Sequence, residues 1–172
     1  MSQDEPSGPD LEGVVADANA VGLQYVVIGG FGVIANGFVR ATKDSDLLVA
    51  DGHETDEAIL RFLDRIEGSR LRDGKVLTQE DVAGAHHLRV NSRHGIVDLM
   101  RGGLPPLDYD TVAKDAIEAD VGSQPAHIAG LRSIVGFKRL AGRPQDRRDL
   151  EELEALHGEL PIEPIPGLDT DA

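Results

Sequence analysis

Two aspartates one residue apart, Asp44 and Asp46, follow a Gly29-Gly30 pair that ends the apolar run Tyr25-Val26-Val27-Ile28. If the stretch "SDLLVA" is a strand, residues i and i+2 share a face. Asp44 and Asp46 then project together and Ser45 turns away. Two carboxylates on one face repel each other unless a cation lies between them. Mg²⁺ takes oxygen ligands and binds through one or two carboxylates together with substrate phosphates. A double glycine lets backbone N–H groups approach a phosphate closely. A third carboxylate stands in "GIVDLM", where Asp98 shares a face with Ile96 and Met100. An aspartate in such a run is costly to bury unpaired. A metal would account for it, and so would an ion pair to Arg89 on the neighbouring strand.

The elements that must hold these residues can be read from periodicity. Leu11, Val14, Val15, Ala18 and Val21 recur at helical spacing over residues 9–21. "YVVI" is a buried strand, "GGFGVIANG" a turn opening a short helix, and "SDLLVA" a second strand. Residues 53–67 make an amphipathic helix with Ile59, Phe62, Leu63 and Ile66 on one side. "HHLRVNSRHGIVDLM" is a hairpin with strands 86–91 and 96–100 about a turn at 92–95. A helix over 108–117, a weak strand pair within 118–128, and helices over 130–142 and 144–157 complete the pattern, with Pro144 opening the last. The expectation is an α/β fold with a mixed sheet flanked by helices and a helical C-terminal part. Residues 9–158 form one domain, between an acidic tail at 1–8 and a frayed tail rich in Pro and acids at 159–172.

Composition bounds the chemistry. The chain has 172 residues, 40% of them hydrophobic, enough for a real core in one domain. No cysteine is present, which excludes disulfides and thiolate metal sites. Aromatics are 3%, with no tryptophan, so base-stacking platforms are not expected. No apolar run approaches a membrane span and the N-terminus is not a signal peptide, so a cytoplasmic protein with no membrane partner is expected. The net charge of −14 argues against bulk nucleic-acid binding. Residues 132–148 run against it, with Arg132, Lys138, Arg139, Arg143, Arg147 and Arg148 facing one acid, Asp146. That is either a phosphate-binding face or a solvated helix. His86, His87 and His94 lack a zinc spacing and are read as solvated or capping. Ser45 and Ser133 have no His/Asp partner at meaningful spacing.

The glycines admit two readings. Gly30-Phe31-Gly32-Val33-Ile34-Ala35 satisfies G-x-G-x-x-A after a strand, and Asp51 follows at the end of the next one. That would be an NAD(P)-binding, Rossmann-like domain with pyrophosphate on a helix N-terminus. It requires neither Asp44 nor Asp46, and it wants further βαβ units where the chain offers a hairpin.

The other reading uses every feature. Gly-Gly, thirteen residues, Asp-Ser-Asp and a later strand aspartate resemble the polymerase-β-like nucleotidyltransferase superfamily. "IGGFGVIANGFVRATKDSDLLV" and "LRSIVGFKRLAGRPQDRRDLEEL" are most similar to its AbiEii/MenT type, and the likeness spans residues 23–156. The resemblance implies a nucleotidyltransferase fold and transfer of NMP from an NTP to an acceptor hydroxyl. It implies Mg²⁺ or Mn²⁺ on Asp44, Asp46 and Asp98, with Asp98 as ligand or base. Gly29 and Gly30 would hold the triphosphate and Lys138 would neutralise it. Asp146 or Asp149 would match the family's late aspartate. Arg40, Thr42 and Arg143 are further phosphate candidates. Many relatives carry Ser at the second turn position, whereas here Gly30 offers no hydroxyl. The acceptor is open between tRNA, as for a toxin-type enzyme with an antitoxin partner, a protein and a small molecule. A non-catalytic nucleotide-binding module is the remaining alternative.

Overall fold

A computed structural model describes residues 8–169. The order is α1 (Leu11–Ala20), β1 (Tyr25–Ile28), α2 (Gly29–Ala35), β2 (Asp44–Val49), α3 (His53–Arg65), β3 (Ser69–Arg70), α4 (Gln79–Ala83), β4 (His87–Ser92), β5 (Gly95–Arg101), α5 (Tyr109–Lys114), β6 (Ile117–Val121), β7 (Gln124–Ile128), α6 (Leu131–Ala141) and α7 (Pro144–His157). Seven strands form one mixed sheet in the order β3-β4-β5-β2-β1-β7-β6. The α/β expectation therefore holds.

Strand alternation divides the core into two layers. Val27, Leu47, Val49, Val90, Val97 and Leu99 face one side, where Val14, Val15 and Ala18 of α1 and Ile59 and Phe62 of α3 cover them. Val26, Ile28 and Leu48 face the other, under Val33 of α2, Ile134 of α6 and Leu153 of α7. Asp44 and Asp46 fall in phase with Leu48, so they lie on this second face. Ser45, in phase with Leu47, is fully buried on the first.

β1 and β2 are antiparallel, with Ile28 opposite Asp46. This overturns the dinucleotide reading, because a Rossmann unit needs its first two strands parallel. The Asp51 carboxylate lies 3.8 Å from Arg101 Nε instead. β2 and β5 are parallel, with Asp46 opposite Asp98.

Two short elements were absent from the sequence reading. β3 has only two residues. α4 has five, held by a reciprocal cap between Thr78 and Asp81 and by buried Val82. Neither is long enough to show a periodicity. The helix expected over 108–117 stops at Lys114, and Ile117 begins β6. Within residues 159–169 a few side chains contact the domain. Ile165 is 5% exposed, Arg132 pairs with Glu163 at 2.8 Å, and Arg139 pairs with Asp169. The tail expected over 1–8 falls, apart from residue 8, outside the described residues. Among the described residues no helix is long and apolar enough to cross a membrane.

Candidate active site

The sheet register brings the three aspartates to one point. Asp44, Asp46 and Asp98 each offer a carboxylate oxygen, and these oxygens lie within 4.8 Å of one another. Asp46 is the least comfortable of them. Burial, then the Asp98 and Asp44 charges, push its carboxyl up to about 7, against the opposing charge of Lys138. Burial also raises Asp98, opposed by His87 and Arg89. The donor set is all oxygen, close and mutually repelling. It suits a hard divalent cation such as Mg²⁺ or Mn²⁺.

The glycine turn is built around this cluster. Gly29 opens α2 with φ +65°, and a Cβ on it would collide with the Asp46 carboxylate. A Cβ on Gly30 would collide with the Thr42 hydroxyl and come within 3.3 Å of Arg40 Nη1. The turn thus fits its own side chains before any phosphate is considered. It also places the Thr42 hydroxyl directly against Gly30.

Arg89 and His87 on β4 complete the cluster. Arg89 Nη1 donates to Asp44 Oδ2 at 3.1 Å and to Asp98 Oδ2 at 2.9 Å. His87 Nε2 lies 2.9 Å from Asp98 Oδ1. Both readings of Asp98 therefore meet in one place, since it belongs to the triad and is also paired with Arg89. Among the described residues no ion pair reaches Asp46. Antiparallel register puts Arg89 opposite Asp98 and His87 opposite Met100 on the same face. That register was the available signal for His87, which the sequence reading passed over as solvated or capping.

The C-terminal residues form a second, buried cluster. Lys138, expected at the triphosphate, places its Nζ 3.0 Å from both Asp146 and Asp149. Arg40, expected at a phosphate, makes a fork on Asp149, with Nε at 2.7 Å and Nη2 at 2.9 Å. Arg143 Nε donates to Asp146 at 2.7 Å. Burial works to raise Asp146, but Arg143 and Lys138 overrule it and hold the carboxyl at about 2. Asp149 is likewise lowered, with Arg40, Lys138 and Gln145 prevailing over burial. Both late aspartates are thus ion-pair partners with fully buried side chains. Arg143 differs from the others because its side chain is 73% exposed. Its guanidinium is held charged first by its hydrogen bonds to Asp146, with the Asp46 and Asp44 charges adding to the effect.

No protein-family model matches the chain, and no curated protein matches it in sequence. Its fold has solved counterparts. Lincosamide antibiotic adenylyltransferase LnuA, bound to lincomycin, aligns over 87% of this chain and 99% of its own, with a TM-score of 0.60 and 14% identity. The antibiotic-resistance factor ANT(2'')-Ia aligns over 86% of this chain and 82% of its own, at 0.57 and 14%. An antigenic nucleotidyltransferase-like protein from Paracoccidioides brasiliensis aligns over 87% and 78%, at 0.52 and 15%. The chain has the nucleotidyltransferase fold.

Proposed function

We propose that this chain is a metal-dependent nucleotidyltransferase. The observation that carries the reading is the meeting of Asp44, Asp46 and Asp98 oxygens within 4.8 Å, beside a glycine turn shaped to admit the Asp46 carboxylate. A cation bound there would neutralise the triphosphate and polarise the acceptor hydroxyl. The chain's own groups do the rest. The first N–H groups of α2 have no side-chain cap and can receive phosphate oxygens. The Thr42 hydroxyl and the exposed Arg143 guanidinium flank that path. Lys138 acts indirectly, by keeping Asp146 and Asp149 charged so that they hold Arg143 and Arg40.

In the transfer, the acceptor oxygen bonds to the α-phosphorus. The bond from that phosphorus to the bridging oxygen breaks, and pyrophosphate leaves with the electron pair. The hydroxyl proton passes to the Asp98 carboxylate, which His87 holds in place.

A small molecule suits this chain better as acceptor than an RNA end. The net charge is −14, aromatics are 3%, and the cations of residues 132–148 are largely committed to internal carboxylates. The AbiEii/MenT likeness would favour tRNA with an antitoxin partner, and the test includes it. Purified protein would receive each α-³²P-NTP with Mg²⁺ or Mn²⁺, together with tRNA, cell protein or a small-molecule extract. Label should appear in a small-molecule product, and Asp46→Asn and Asp98→Asn should abolish it. Labelled tRNA would restore the toxin reading. Absence of nucleotide binding by calorimetry would remove the transferase reading.

A further inference from the structure

A cavity of about 430 Å³ lies beside β4, next to the carboxylate cluster. It exists because β3 is so short. β3 pairs only with Val90 and Asn91, and Leu71 N–H adds one bond to the Arg89 carbonyl at 3.0 Å. Among the described residues, the first half of β4 therefore has no strand outside it. Its volume is in the range of small-molecule sites.

The lining is apolar and cationic. Leu71, Leu77 and Leu88 supply hydrocarbon, and Arg70, Arg72 and Arg89 supply charge. Asp81 is the one acid of the lining. It is committed to the α4 cap and to Arg70 Nη2 at 2.9 Å. Arg70 also donates to Asp73 at 3.1 Å, so it is largely neutralised. Arg72 is not: its side chain is 78% exposed and it approaches Asp73 only to 3.9 Å. On a chain of net charge −14, a leucine-floored cavity with three arginines is complementary to an anion with an apolar body.

His87 and Arg89 belong to both the cavity and the carboxylate cluster. Arg89 Nη1 is spent on Asp44 and Asp98. Once those oxygens hold a cation, the guanidinium is released to serve an anion in the cavity. We propose that this cavity is the acceptor subsite, taking a small hydroxyl-bearing molecule with an apolar body and a carboxylate or phosphate group. Arg72 and Arg89 recognise the anion, and the leucines take the apolar body. The proposal rests on the transferase reading for the word acceptor, whereas the anion site itself does not.

The test uses the full chain, ¹⁵N-labelled, titrated with 4-hydroxyphenylacetate, phenyl phosphate and tyramine. Each titration is run with and without Mg²⁺ and non-hydrolysable NTP analogues. The two anions should shift the amides of residues 70–72, 77 and 87–89, and the amine should not. The tighter of the two anions identifies the group as carboxylate or phosphate. Arg72→Glu, at an exposed position, should weaken the anions by about five-fold or more and leave NTP binding unchanged. Leu71→Asp should do the same. Affinity for the anions should rise when metal and nucleotide are present. Equal binding of the amine, shifts scattered away from these residues, or anion affinity unchanged in both variants would overturn the subsite while nucleotide binding stands. Anion binding here without any nucleotide binding would keep the site and overturn the transferase reading.

Discussion

Gly29 lies against the Asp46 carboxylate, and the two positions are matched. A side chain at 29 would occupy the space of the Asp46 oxygens, and the φ of +65° disfavours any L residue there. Gly29→Ala should therefore cost about 1–2 kcal/mol for the backbone alone. It should also displace Asp46 from the cluster. Urea unfolding would read the first effect and Mn²⁺ titration the second. Unchanged metal affinity in a folded Gly29→Ala protein would show that the turn is not coupled to the cluster.

Asp46 makes the metal-free protein sensitive to pH. Its folded pKa, about 7, is above the ordinary carboxylate value. Its contribution to stability is therefore fully present below about pH 4 and is lost as pH rises through about 7. Asp98, raised by burial, acts in the same direction. Asp17, Asp146 and Asp149 are lowered, so their contributions fade only below about pH 4. In the window between, metal-free protein should gain about 1 kcal/mol on going from about pH 8 to about pH 6. Adding Mg²⁺ at the higher pH should recover that gain, and Asp46→Asn should flatten the dependence. A flat profile for the native chain in EDTA would contradict this.

The site was legible in the sequence where strand periodicity places side chains. Asp44, Asp46 and Asp98 fall on one face by counting in twos, and the glycine turn follows an unmistakable apolar run. Arg89 was visible as the ion-pair alternative for Asp98 because the hairpin has a readable register. For Lys138 and Arg40 the sequence did not show the carboxylate partners. Their types suit phosphate, but whether a cation faces substrate or a buried carboxylate depends on how α6 and α7 pack. No spacing encodes that packing. β3 and α4 escaped because two and five residues cannot establish a period. The cavity beside β4 is a consequence of the short β3, so it escaped with it.

Lys138 should behave as a structural cation. It is buried with two carboxylates 3.0 Å away. Removing it by Lys138→Met would leave Asp146 and Asp149 with one guanidinium each in a dry setting. A loss of about 3–5 kcal/mol is expected from breaking such a buried cluster. Chemical unfolding measures it. Were Lys138 instead a triphosphate ligand, the variant would keep its stability and lose nucleotide affinity, the opposite pattern.

Thr42 and Gly30 together offer a test of how phosphate is held. A Cβ on residue 30 would collide with the Thr42 hydroxyl, so the two positions compete for one space. Among the described residues that hydroxyl makes one long bond, 3.4 Å to the Asp44 carbonyl, so it retains hydrogen-bonding capacity. It stands where a serine at position 30 would reach. Thr42→Val keeps the shape and removes the hydroxyl. Triphosphate affinity should fall by about 1 kcal/mol, roughly five-fold, with little change in stability. Gly30→Ser alone should be destabilising through the collision with Thr42. Gly30→Ser combined with Thr42→Ala clears the space and supplies a hydroxyl from the other side, so it should recover most of the affinity. Calorimetry of NTP binding in Mg²⁺ on the four proteins decides it. If Thr42→Val binds as tightly as the native chain, the hydroxyl has no part in holding phosphate and Gly30 serves only to seat Thr42.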